Sequence, residues 1–178
     1  MTLRYGSTAV PFTASWSAED RFWVAECPHA KRPAIRQSVA QGEGKPLFGK
    51  PHADRQRQVI AQGLCDLCGR PLAARTKVSL SHARVQLHGA DGPAVLQVEP
   101  LLHRECAAES LRHCPSLRRD VREGALKVRQ VTRYRVQFAI MSPEYVETLA
   151  GEHRKAIGHA KVELLAWKDR DAAWLGAA

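Results

Sequence analysis

Cys65-Asp66-Leu67-Cys68-Gly69, answered by His103-Arg104-Glu105-Cys106, is the pairing on which the reading of this chain turns. Each pair holds two soft ligands separated by two residues, and together they make the donor set of one tetrahedral zinc ion. Gly69 suits a zinc knuckle, where a tight turn needs positive φ and aims backbone amides at sulfur. On a helical turn His103 and Cys106, three apart, share a face and can share the ion.

Between the pairs the pattern turns to strands. Val78 and Leu80 alternate, and the alternation resumes with shifted parity at Val85 and Leu87, which predicts a bulge or bend near His82 to Arg84. Gly89-Ala90-Asp91-Gly92-Pro93 is a turn, Ala94 to Val98 the returning strand, and Pro100 ends the ladder. From Leu101 or Leu102 the composition is helical, with Ala107, Ala108 and Leu111 on one face until Cys114-Pro115. Knuckle, β-hairpin and helix in this order are those of a treble-clef zinc finger. The expected class is therefore α+β, a small mixed domain built around a treble-clef-like zinc site, with further C-terminal strands and a helix.

Upstream, Phe22 to Ala25 reads as a short strand, and Trp16, Phe22 and Trp23 as core. Four prolines and three glycines between Cys27 and His52 predict an extended basic connection without long regular elements. A short helix follows, with Asp54 as N-cap and Gly63 closing it. This divides the chain into an N-terminal arm and connection, 1–52, and a zinc-organised α+β domain, 53–178.

Downstream, residues 126–140 form the clearest strand. Val128, Thr132, Tyr134, Val136, Phe138 and Ile140 fall on one face, and Arg129, Arg133, Arg135 and Gln137 on the other, with Gln130 and Val131 breaking the alternation. Ser142-Pro143 starts a helix with Gly151 in its middle, and Val162 to Trp167 is a strand after Gly158.

The chain has 178 residues, enough for one domain with its own core. Its net charge of +9 is concentrated: residues 28–57 contribute +5, residues 112–135 contribute +6, and the rest sums to −2. Such patches meet phosphates or acidic protein surfaces. Five cysteines, an odd number, fit metal ligation in a reducing compartment better than a disulfide framework, and no apolar run approaches the roughly 20 residues of a membrane span. A cytoplasmic protein is expected. No phosphate-binding Walker loop, nucleophile elbow or dinucleotide fingerprint is present.

CDLCGRPL, EPLLHRECAAESLRHCP, VTRYRVQF and VELLAWKDRDAAWL together resemble a family of uncharacterised proteins of bacterial genomes, phages and mobile elements. Their layout is CxxCG, then EPPxHxxC, then a cysteine-proline helix end. The resemblance runs over most of the chain, including Gly49-Lys50-Pro51. It implies a zinc site and a phage or mobile-element origin, but carries no activity. Leu101-Leu102 stands where a second proline is common, and much of the family's aromatic and glycine-rich stretch after the knuckle is missing.

The expected ligands are Cys65, Cys68, His103 and Cys106, with Cys114 as the substitute that would make a four-thiolate site. Cys27 and His29 lack a second pair. Four protein ligands leave no open position for a reacting water, which argues for a structural ion. The expected function is zinc-dependent, non-enzymatic binding. Nucleic acid is the preferred partner, through Arg118, Arg119, Arg122, Arg129, Arg133 and Arg135; the alternative is an adaptor gripping a host or phage protein. The enzymatic alternative is an HNH-like nuclease using His82 or His88 with His113, although the chain contains no asparagine to complete that motif.

Overall fold

The computed structural model describes residues 2–73, 75–87 and 92–176. His88 and Gly89 to Asp91 of the expected turn lie outside them. In chain order the elements are β1 Arg4–Tyr5, β2 Thr8–Ala9, β3 Ala14–Trp16, β4 Phe22–Glu26, β5 Pro33–Gln37, β6 Pro46–Pro51 and α1 Ala53–Gln62. Then follow β7 Lys77–Ser81, β8 Val85–Leu87, β9 Pro93–Gln97, β10 Leu102–His103, α2 Arg104–His113 and α3 Pro115–Arg122. β11 Lys127–Met141, α4 Pro143–Ala150, β12 Ala156–Arg170 and a 3-10 turn at Ala173–Leu175 complete the chain. The result is a mixed α/β domain.

Its spine is the antiparallel pair of β11 and β12, each 15 residues long. β7 pairs with the first third of β11, and β10 adds to β7. On the far side of β12, β9 pairs at Val162 to Leu164 and β5 runs parallel at Ile157. β4 closes that edge against β5. The hairpin expected after the knuckle exists as β8 against β9, from Val85 opposite Val95 to Leu87 opposite Pro93. The strand nearest the knuckle, β7, instead pairs with β10 and β11.

The largest core lies between this sheet and α2. Ala107, Ala108 and Leu111 face Val78, Leu80, Leu126 and Val128, and Val95, Val162 and Leu164 are fully covered. Each buried Val or Leu contributes about 1.5 to 3 kcal/mol relative to exposure. α4 buries Val146 against Ile35 and Ala156 in a smaller cluster.

Five expectations change. α1 is capped by His52, whose Nδ1 accepts from the backbone N–H of Asp54 and Arg55 at 3.2 and 3.3 Å. Asp54 is drawn away from that role by the guanidiniums of Arg36 and Arg57 and the backbone N–H of Gln37. The connection from Cys27 to His52 has no long element, as expected, and its extended course includes two short strands, β5 and β6, because proline is tolerated at strand ends and edges. The basic run after Cys114 includes a helix, α3, started by Pro115. Gly151 ends α4 with φ 74° instead of weakening its middle, and β12 begins at Ala156, before Gly158.

The fifth change concerns β11. Its register shifts between Val131 and Tyr134, leaving Thr132 as an extra residue exposed to solvent. Before the shift both faces are covered, so Val128, Arg129 and Val131 are all buried. The expected row of cations on a solvated face is therefore broken at its first member.

α1 also joins the sheet in a way that the periodicity does not reveal. Between the segments of β12 that pair with β5 and β9, the Gln56 carboxamide donates to Ala160 O and accepts from Ala160 N–H, both at 2.9 Å. Arg57 donates to Gly158 O and Ile35 O at 2.6 Å. Side chains of a helix thus supply the rungs that a missing strand would have made.

Candidate metal centre

The knuckle is built by local hydrogen bonding. Cys65 N–H donates to Arg70 O and Gly69 N–H to Cys65 O, both at 2.8 Å, which folds the loop back on itself. Gly69 has φ 66°, and a Cβ added there would lie 2.9 Å from the Phe12 ring, so both conformation and space select glycine. Asp66 N–H donates to Leu101 O at 3.0 Å, tying the knuckle to the segment that carries the second ligand pair.

That pair sits where β10 becomes α2. His103 is the N-cap residue of α2, and Cys106 lies in its first turn. The ligand atoms of Cys65, Cys68, His103 and Cys106 lie within 4.8 Å of one another, and no other such group of three or more occurs among the described residues. His103 Nδ1 is 3.4 Å from Cys68 Sγ and 3.8 Å from Cys106 Sγ. A tetrahedral ion with zinc–ligand bonds of about 2.0 to 2.3 Å sets its ligand atoms about 3.5 to 3.8 Å apart. The four donors fit such an ion, and three thiolates with one imidazole suit zinc.

The surroundings orient the set. His103 Nε2 lies 3.0 Å from Pro71 O, so the ring donates there and turns Nδ1 towards the sulfurs. His103 N–H points to Cys65 Sγ at 3.4 Å. The hydrogen bond from Cys106, opposed by burial and aided by backbone N–H groups of Cys68, His103 and Leu67, pulls the Cys65 thiol down to about 5. Cys106, which supplies that proton beside two other sulfurs, is pushed up. The exposed Arg70 is raised by its hydrogen bond to Cys68 and offsets the charge of the thiolates.

Two supporting groups carried no periodic signal. Pro71 acts only through its carbonyl. Asp66, inside CxxC, is half-buried and pushed up to about 7 by desolvation, opposed by the Thr13 hydroxyl and reinforced by Cys65 and Glu99.

The remaining expected groups fall elsewhere. Cys114 ends α2 outside the cluster, whose fourth member is His103. Cys27 is buried with Ala34 and Ile157. His82 is exposed and 3.3 Å from Asp120, whereas His113 is 3.3 Å from Glu109 on its own helix. The two histidines of the nuclease alternative therefore have separate partners, and the third, His88, lies outside the described residues.

Of the six arginines, Arg118, Arg119 and Arg122 are exposed on α3, with Leu117 and Val121 turned to the core. Arg133 is exposed on β11. Arg135 forms a two-pronged pair with the buried Glu163, and Arg129 is buried. Among the described residues no helix is long and apolar enough to cross a membrane. Comparison with protein-family models, curated proteins and solved structures finds no match.

Proposed function

We propose that this chain is a non-enzymatic binding protein in which a structural zinc in a treble-clef-like setting holds the knuckle to α2, and α3 meets nucleic acid. The observation that carries this reading is the closed Cys3His set at the start of α2 and, after α2, a helix whose exposed residues include three arginines. With four protein donors the ion has no position left for substrate, so its role is to fix the start of α2 and, through Cys114-Pro115, the direction of α3. Arg118, Arg119, Arg122 and Arg133 then supply phosphate contacts that position without reading bases.

Fluorescence anisotropy with labelled duplex and single-stranded oligonucleotides tests this. Binding should be clear at low ionic strength and indifferent to sequence. The combined Arg118→Ala and Arg122→Ala variant should lower the slope of log affinity against log salt by about 0.9 per lost phosphate contact. Absence of DNA and RNA binding at low salt would sink the reading.

A protein partner is the second reading, supported by Val85 and Leu87, which are 51% and 85% exposed on the short strand β8. A partner captured by the wild type after nuclease treatment, and lost with Leu87→Asp, would favour it.

A further inference from the structure

At the start of β11, Arg84, Lys127, Arg129 and Arg170 line a cavity of about 430 Å³ together with Asp169 and Asp171. Arg129 decides its character. It is only 3% exposed, and its Nη2 donates to Ala83 O at 2.9 Å. Its Nε and Nη1 are buried and have no hydrogen-bond partner among the described residues. Asp169 comes no closer to Nε than 3.6 Å and is itself 79% exposed, so water takes most of that carboxylate.

A buried guanidinium with open N–H groups is a costly arrangement unless something fills it. The planar fork of arginine matches the oxygens of phosphate or carboxylate. Arg84 spends one nitrogen on Ala125 O. Arg170 uses Nε and Nη2 on Gln130 and stacks over Trp174 at 5.1 Å, while Lys127 is exposed. Asp171 is engaged in capping Trp174 N–H at 2.8 Å. Four cations against two carboxylates leave an excess of two positive charges, which a dianion matches better than a monoanionic carboxylate.

We propose that this cavity binds a phosphate group, with the open N–H groups of Arg129 as its buried donors and Arg84, Lys127 and Arg170 neutralising its outer oxygens. The phosphate is either free or part of a nucleic-acid strand, and the inference does not rest on the nucleic-acid reading, because inorganic phosphate alone tests it.

The experiment is a titration of the intact metal-loaded chain with inorganic phosphate, followed by ³¹P NMR line broadening, at ionic strength held constant with chloride. Saturable binding is expected for the wild type, and a loss of about tenfold in affinity for each of Arg84→Ala and Lys127→Ala, which are surface changes that leave the core intact. Arg129→Met, an apolar replacement of similar length, should abolish it. Absence of saturable binding, or equal affinity in the combined Arg84→Ala and Lys127→Ala variant, overturns the proposal. In a second arm a short oligonucleotide is added: displacement of phosphate assigns the site to a strand phosphate, and undisturbed phosphate binding assigns it to the free ion. Phosphate binding without any oligonucleotide binding removes the reading of α3 and leaves this site standing. Oligonucleotide binding without phosphate binding does the reverse.

Discussion

His103 joins two jobs in one imidazole: Nε2 is committed to Pro71 O, which leaves Nδ1 for the sulfurs. That these four side chains meet was legible because metal chemistry imposes a spacing, whereas the carbonyl that orients the ring leaves no trace in residue type. Cys68→Ser and His103→Ala should each lose bound zinc and melt earlier, while Cys114→Ser retains one zinc per chain; metal analysis with thermal denaturation checks both. His52 was hidden for a related reason, since a capping imidazole is uncommon and Asp54 two residues later is the better-known cap. Burial, followed by the charge of Arg55, pulls the His52 pKa below 6.5, against the raising effects of its Ser38 hydrogen bond, Glu19 and Asp54. The unfolded chain gains this proton as pH falls below about 6.5 and the folded chain resists it, so stability is full above that pH and is lost towards the lower folded value. In urea titrations wild type should lose up to about 1.4 kcal/mol more per pH unit in that window than His52→Asn, which keeps a capping oxygen without the titration.

At the scale of elements, the expected strands, α2 and α4 follow from alternation, a proline start and glycine ends. What escaped was pairing. Gln130 and Val131 broke the alternation of the long strand, and the irregularity proved to be a bulge at Thr132 with Arg129 buried ahead of it. Residue type marked the fault but not which face each side of it took. α3 was missed because Leu117 and Val121 are too few apolar residues to make a periodicity amid so many arginines. Gln56 is the sharpest case, a polar residue on a short helix that completes a sheet. Gln56→Ala leaves Ala160 N–H and C=O unmet and should cost about 2 to 4 kcal/mol by urea unfolding. Gln56→Glu should cost at least as much, because its buried carboxylate would face the Val98 and Ala160 carbonyl oxygens that the carboxamide N–H groups now satisfy.

Across the whole molecule, the basic balance of the sequence overstated the free charge. Arg55 is buried with Glu19 at 2.7 and 2.8 Å, and also donates to Phe12 O and Ala14 O, so much of the N-terminal excess holds the fold together. Burial would raise Glu19, but the Arg55 hydrogen bond and the backbone N–H groups of Ala40 and Trp16 hold it below its usual range. The residues before α1, expected as an arm, contribute β4 and β5 to the main sheet. Such long-range joins depend on which strand meets which, and local residue preferences do not encode that choice.

The rung made by Gln56 has a temporal consequence. The Ala160 amide is shielded only while α1 stays docked, and α1 ends at Gly63, two residues before the first sulfur of the knuckle. Opening of the metal loop therefore becomes a gate on exchange deep in the sheet. When the ion is stripped by a chelator, the Ala160 amide should exchange with deuterium far faster while the Gln137 and Lys161 amides, locked between β11 and β12, keep closer to their former rates. Hydrogen-exchange NMR would read that order of loosening directly, and equal acceleration at all three amides would show that the helix and the sheet open as one unit.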